Sequence, residues 1–172
     1  MRPRHGFLPE VALRYVTLYF LTLPAFAGNV LSDKGYGPIH FGEKTVSLEK
    51  SLHDKAVPED ATDDPACRYV KFKKFPGVFF MEEAGVITRA DAGFKKNVPN
   101  AYGIKIGTTL REVKRKHPQV LVEPHQYFEK GHYLIFESAD KKSAVIFEED
   151  EGKIKNLHAG LHPSVDYVEG CL

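Results

Sequence analysis

The sequence predicts an α+β fold in which two tandem helix-plus-antiparallel-sheet repeats form one sheet and carry their helices on one face. Three observations point to it. Tyr36-Gly37-Pro38-Ile39-His40-Phe41-Gly42 returns as Tyr102-Gly103-Ile104-Lys105-Ile106-Gly107, with Gly42 and Gly107 65 positions apart. Val78-Phe79-Phe80-Met81-Glu82-Glu83-Ala84-Gly85-Val86-Ile87 returns as Val145-Ile146-Phe147-Glu148-Glu149-Asp150-Glu151-Gly152-Lys153-Ile154, with Gly85 and Gly152 67 apart. Between these passages each half has a helical segment and an alternating strand. Near-constant offsets at both ends imply duplicated units.

In chain order, residues 1–27 read as a signal peptide. Arg2, Arg4 and Arg14 precede the apolar run from Tyr15 to Leu23, and Ala25-Phe26-Ala27 supplies a small-x-small cleavage pattern before Gly28. The run is shorter than the roughly 20 apolar residues of a bilayer-spanning helix and is broken by Pro24. No stable membrane anchor is therefore expected after cleavage, and no cysteine stands near the cleavage point to carry a lipid. Residues 28–98 form the first repeat and 99–172 the second.

Within the first repeat, Leu48 and Leu52 keep the i, i+4 spacing of one helix face, as do Val113 and His117 in the second. Thr109-Leu110-Arg111-Glu112 is a capping box, in which hydroxyl and carboxylate satisfy the first free amides. Thr45-Val46-Ser47-Leu48 lacks the glutamate. Pro118 ends the second helix by disfavouring the α conformation of the residue before it. Ala56 to Ala66 and Gly93 to Asn100 read as loops.

Cys67 to Lys73 alternates as a half-buried strand should, and His132 to Glu137 occupies the corresponding place. Leu121-Val122-Glu123 adds a candidate strand. The two duplicated passages read as β-hairpins whose turn glycines can take positive φ. Three strands and one helix bury too little apolar area to stand alone, so the units are expected to extend one sheet, leaving its other face uncovered.

Tyr102-Gly103-Ile104-Lys105-Ile106-Gly107 followed by the Thr108-Thr109-Leu110-Arg111-Glu112-Val113 helix and a sheet resembles the repeat shared by the beta-lactamase inhibitor protein family and the small outer-membrane assembly lipoproteins. The match is best over Gly103 to Val113 and looser through Ala159. It implies a helix-on-sheet unit, doubled here, acting as an inhibitor or binding module without enzyme activity.

Hydrophobic residues make up 42% and charged residues 27% of the chain, a balance that excludes both a disordered and a multi-span membrane protein. Removing residues 1–27 turns the net charge from +1 to −1, which favours neither nucleic acid nor an anionic surface. Lys71, Lys73 and Lys74 read as lysines guarding a strand edge. Cys67 and Cys171 both survive cleavage, and an even pair in an oxidising compartment is expected to form a disulfide. The expected location is periplasmic or secreted.

Catalytic motifs are missing. There is no Gly-x-Ser-x-Gly elbow, Walker-type loop, dinucleotide fingerprint or His-Glu-x-x-His spacing. His125, His132, His158 and His162 gather in the second repeat without a ligand spacing, and they read as surface or locally bonded residues. The acidic groups Glu82-Glu83 and Glu148-Glu149-Asp150-Glu151 read as solvated turns. No catalytic residue, metal or cofactor is expected.

A binding surface remains. If Val70, Phe72, Val78, Phe80, Leu134, Phe136, Val145 and Phe147 face the helices, alternation sends Tyr69, Lys71, Phe79, Met81, Tyr133, Ile135 and Ile146 to the opposite face. That apolar, aromatic set suits either a protein interface or a surface covered by loops or the C-terminal tail. The leading expectation is a non-catalytic protein that binds or inhibits another protein there. Two alternatives are a structural envelope assembly component and an unfamiliar metal-dependent enzyme using the second-repeat histidines.

Overall fold

The computed structural model describes residues 28–59, 64, 66–93 and 96–171. The expected signal peptide, residues 1–27, lies outside the described residues, as do parts of both expected loops. Among the described residues no helix is long and apolar enough to cross a membrane.

The fold is α+β. A three-stranded lead-in sheet runs β1 (Leu31–Ser32), β2 (Gly35–Tyr36) and β3 (Ile39–His40), followed by helix α1 (Thr45–Leu52). Next come β4 (Val57–Pro58), β5 (Cys67–Lys71), β6 (Val78–Glu83) and β7 (Val86–Ala92). Helix α2 (Leu110–Lys116) leads into β8 (Leu121–Pro124), β9 (His132–Glu137), β10 (Ser143–Asp150) and β11 (Lys153–Leu161), and a 3₁₀ turn at Ser164–Asp166 follows. Strands β4 to β11 form one antiparallel sheet in the order β4-β5-β6-β7-β11-β10-β9-β8. The halves meet at the β7–β11 seam, where Asp91 pairs with His158, Ala90 with Ala159 and Arg89 with Gly160. Each end of the sheet is a short strand carrying a proline, Pro58 in β4 and Pro124 in β8.

The main core lies between one sheet face and the helices. Leu48 and Val113 enter it from α1 and α2, meeting Val70, Phe72, Val78, Phe80, Leu134, Phe136, Val145 and Phe147, as the alternation requires. Tyr36 stands 6.4 Å from Phe80 and Phe72 stands 5.6 Å from Phe80; Tyr102 stands 6.3 Å from Phe147 and Phe136 stands 5.7 Å from Phe147.

Backbone contacts between helix lead-in and hairpin recur in the same way. The N–H of Gly42 donates to Ile87 O and that of Gly107 to Ile154 O, both at 2.8 Å. Thr45 N–H donates to Gly85 O (2.9 Å) and Leu110 N–H to Gly152 O (3.1 Å). A bulge leaves one extra residue, Thr88 in β7 and Lys155 in β11, opposite the Met81–Glu82 and Glu148–Glu149 steps, again 67 positions apart. The hairpin turns Ala84-Gly85 and Glu151-Gly152 all have positive φ, with 80° at both glycines. Such turns match the right-handed strand twist, and glycine takes the second position without a Cβ penalty.

Three expectations need correction. Ala56 to Ala66 is not loop throughout, because Val57–Pro58 pairs with Val70 and Lys71 as an edge strand. The acidic groups are not solvated turns throughout. Glu82 is buried against Arg68 (2.9 Å) and Glu149 is buried against His132 (2.6 Å), since alternation from Phe80 and Phe147 places both on the helix-side face of the sheet. Finally, the face opposite the helices is not uncovered, because the chain after β11 folds back over part of it.

Candidate functional site

The cover over the outer face is built by residues 162–171. Val165, 1% exposed, packs on Ala144 and Ile146, with Tyr133 and Ile135 beside it. Arg89 rises from the seam, pairs with Asp91 at 2.6 Å, and donates to the carbonyls of Tyr167 (2.5 Å) and Ser164 (3.4 Å). Burial of Arg89 weakens its charge, but the Asp91 carboxylate more than restores it and raises its pKa. Ser164 Oγ bonds Glu83, and the Tyr127 hydroxyl bonds Glu169. The segment ends at the Cys171–Cys67 disulfide, with the two Cα atoms 5.4 Å apart.

The seven residues expected on this face all lie on it, in different surroundings. Met81 is fully buried, paired opposite Tyr69 and Arg89. Tyr69 is half-buried beneath Gly170, where a Cβ would stand 2.2 Å from the tyrosine hydroxyl oxygen. Burial, with Asp91 alongside, pushes its pKa up. Phe79 is half-buried and Lys71 exposed, its Nζ 5.8 Å from the Phe79 ring and paired with Glu59. Tyr133, Ile135 and Ile146 meet at the other end of the face, where they line a cavity of about 290 Å³.

That cavity lies between Val165–Val168 and strands β8 to β11, with Glu123, Glu148 and His158 in its wall. Glu148 is its chemical centre. Its Oε1 lies 3.5 Å from His158 Nδ1 and its Oε2 3.9 Å from His125 Nε2. His158 Nε2 donates to the Val165 carbonyl at 3.0 Å, and its Nδ1 is turned to the Glu148 carboxylate. His125 Nδ1 accepts from the amides of Tyr127 (3.1 Å) and Phe128 (3.3 Å), which places its hydrogen on Nε2, facing Glu148. Burial pushes Glu148 up, but His158, His125 and Arg89 beside it outweigh the effect. The carboxyl is held below its ordinary value and is ionised.

Around the mouth stand large apolar side chains left in water. Tyr127, Leu121, Tyr167 and Val168 are 57%, 48%, 38% and 36% exposed. Leu121 pairs directly across from Ile135 on the same face.

Sequence reasoning named the apolar floor of this site and allowed for a C-terminal cover, but gave Glu148 no part in it. A signal for Glu148 was present, since the passage from Val145 to Ile154 carries it where the similar passage from Val78 to Ile87 carries the apolar Met81. The four histidines do not act together. His132 serves Glu149, His162 bridges Asp166 (2.6 Å) and Glu137 (3.1 Å), and only His125 and His158 reach Glu148. Among the described residues no three His, Cys, Asp or Glu side chains converge as a metal centre requires.

Comparison with protein families, curated proteins and solved structures finds no match for this chain.

Proposed function

We propose that this is an exported, non-catalytic protein that binds another protein through the outer face of its sheet, at the groove between β8–β10 and the C-terminal segment. The observation that carries the reading is the exposed apolar rim of Leu121, Tyr127, Tyr167 and Val168 around the cavity. Exposed aromatic and aliphatic side chains about a recess are costly in water and supply anchors at protein interfaces. The disulfide supports location in the periplasm or outside the cell, where such bonds persist.

The same proposal takes the chain as a tandem duplication of a helix-plus-sheet unit, akin to the beta-lactamase inhibitor protein-like repeat. Its support is the recurrence of hydrogen bonds, bulges and aromatic contacts at offsets of 64 to 67 residues. On this reading the first copy kept an apolar residue at Met81 while the second acquired Glu148, which placed the polar centre in one half only.

The test is affinity capture from envelope and culture-medium fractions with immobilised wild type, a Leu121→Asp plus Val168→Asp variant, and a Val46→Asp control on α1. A protein retained by wild type and control but lost by the double variant is expected. Retention unaffected by the double variant would overturn the assignment.

A further inference from the structure

We propose that helix α2 lays a cationic face on an anionic phospholipid bilayer, holding the protein reversibly at that surface with the groove turned outward. This rests on the exported location and not on the groove, which lies across the sheet.

Four of the seven residues of α2 are cations, Arg111, Lys114, Arg115 and Lys116. Val113 is buried in the main core, so the opposite side of the helix faces water. Residues at i, i+3 and i+4 share a helix face, which gathers Arg111, Lys114 and Arg115 there. All four cations are exposed, and none of their side chains has an ion pair or hydrogen bond among the described residues. The carboxylates nearby are committed elsewhere. Glu112 closes the capping box on Thr109, Glu151 pairs with Lys155 at 3.3 Å, and Asp150 stands across from Lys153.

Stability of the helix does not account for this set. Lys114, Arg115 and Lys116 complement the dipole in the last turn, but Arg111 stands in the first turn, where the dipole disfavours positive charge. Helix α1 gives the comparison. It packs on the same face of the sheet through Leu48, yet 65 positions earlier it has Val46, Glu49, Lys50 and Ser51, and Glu49 bonds Lys55. Packing a helix at this place therefore needs no surplus of cations.

The opposite face fixes the orientation. Glu123, Glu148 and Asp166 line the groove and no lysine or arginine does, so a surface of negative sign repels that face while it attracts α2. A chain whose total charge nearly cancels is thus divided in charge between its two sides. Leu110 and Val113, the apolar residues of α2, both pack into the core. The face therefore lacks the buried anchors of a protein interface and has nothing to insert between lipids, which makes the contact electrostatic and reversible.

The test is sedimentation of the disulfide-bonded protein with vesicles of phosphatidylcholine, alone or mixed with phosphatidylglycerol, at low ionic strength. Binding is expected to the mixed vesicles only, and it should weaken steeply as salt is added and the charges are screened. Each cation at an anionic surface is worth about fivefold in affinity, so Arg111→Gln should lose about fivefold and the triple variant with Lys114→Gln and Arg115→Gln roughly a hundredfold. Thermal melts check that both variants remain folded. Leu121→Asp plus Val168→Asp, across the sheet, should bind nearly as wild type does. Absent or salt-independent binding to the mixed vesicles, equal binding to phosphatidylcholine alone, or a triple variant that binds as wild type does would overturn the bilayer contact. So would wild type that binds duplex DNA but not the mixed vesicles, which would give the face to nucleic acid. None of these outcomes touches protein binding at the groove, which depends separately on capture by the Leu121 and Val168 rim.

Discussion

His162 sits between two carboxylates, Asp166 at 2.6 Å and Glu137 at 3.1 Å, and so ties the covering segment to β9. Burial lowers its pKa, but the hydrogen bonds and charges of Asp166 and Glu137 outweigh this and raise it above the ordinary 6.5. A histidine favoured in its charged form by folding adds stability below its unfolded pKa, and that contribution is lost as pH rises through the folded value. The melting temperature is therefore expected to fall as pH climbs from about 6.5 into the alkaline range. His162→Gln should flatten that slope, as read by thermal melts at a series of pH values. At this scale the floor of the site is legible in sequence, because strict alternation sends Tyr133, Ile135 and Ile146 to one face. The roles of Glu148, His125 and His158 are not, because they depend on which loop and which covering segment close over them.

At the scale of elements, the two helices begin differently. Thr109 caps α2, accepting from Glu112 N at 3.2 Å while the Glu112 carboxylate accepts from Thr109 N at 3.0 Å. Lys44 stands at the same place before α1 and its side chain caps nothing. Thr109→Ala is expected to cost about 1 kcal/mol, whereas Lys44→Asp should add about 0.5–1 kcal/mol, both read from urea midpoints. The seam gives a sharper contrast. A Cβ on Gly160 would stand 2.6 Å from Thr88 O and 2.9 Å from Arg89 Cα, backbone against backbone. Gly160→Ala should cost about 3 kcal/mol by forcing β7 and β11 apart. Gly152→Ala, which meets open space and suffers only from its positive φ, should cost about 1 kcal/mol. Chemical denaturation of the pair separates the two causes. Hairpins and helices are legible because turn glycines, a capping box and periodicity are local signals. The seam register has no local signal, since Ala90 and Ala159 could pair in many ways until both faces are packed.

For the whole molecule, the disulfide decides how firmly the second face is covered. Cys67 and Cys171 are 104 residues apart, and in the chain-entropy treatment a loop of that size is worth roughly 4–5 kcal/mol. Replacing both cysteines by serine should lower stability by that order. It should also free the segment beyond Tyr167 from Tyr69, seen as faster amide exchange at Gly170 and Cys171→Ser than at Val165. The cysteine pairing is legible from compartment and count alone. The path of residues 162–171 is not, because they carry no periodicity and are placed by Arg89, Val165 and the disulfide. The two prolines at the ends of the sheet, Pro58 and Pro124, bear on crowding. A neighbouring copy approaching either flank meets a ladder two or four residues long with one amide hydrogen missing. Fibrous growth from flank to flank is thereby starved of its template, and association between molecules is channelled to the broad surfaces instead.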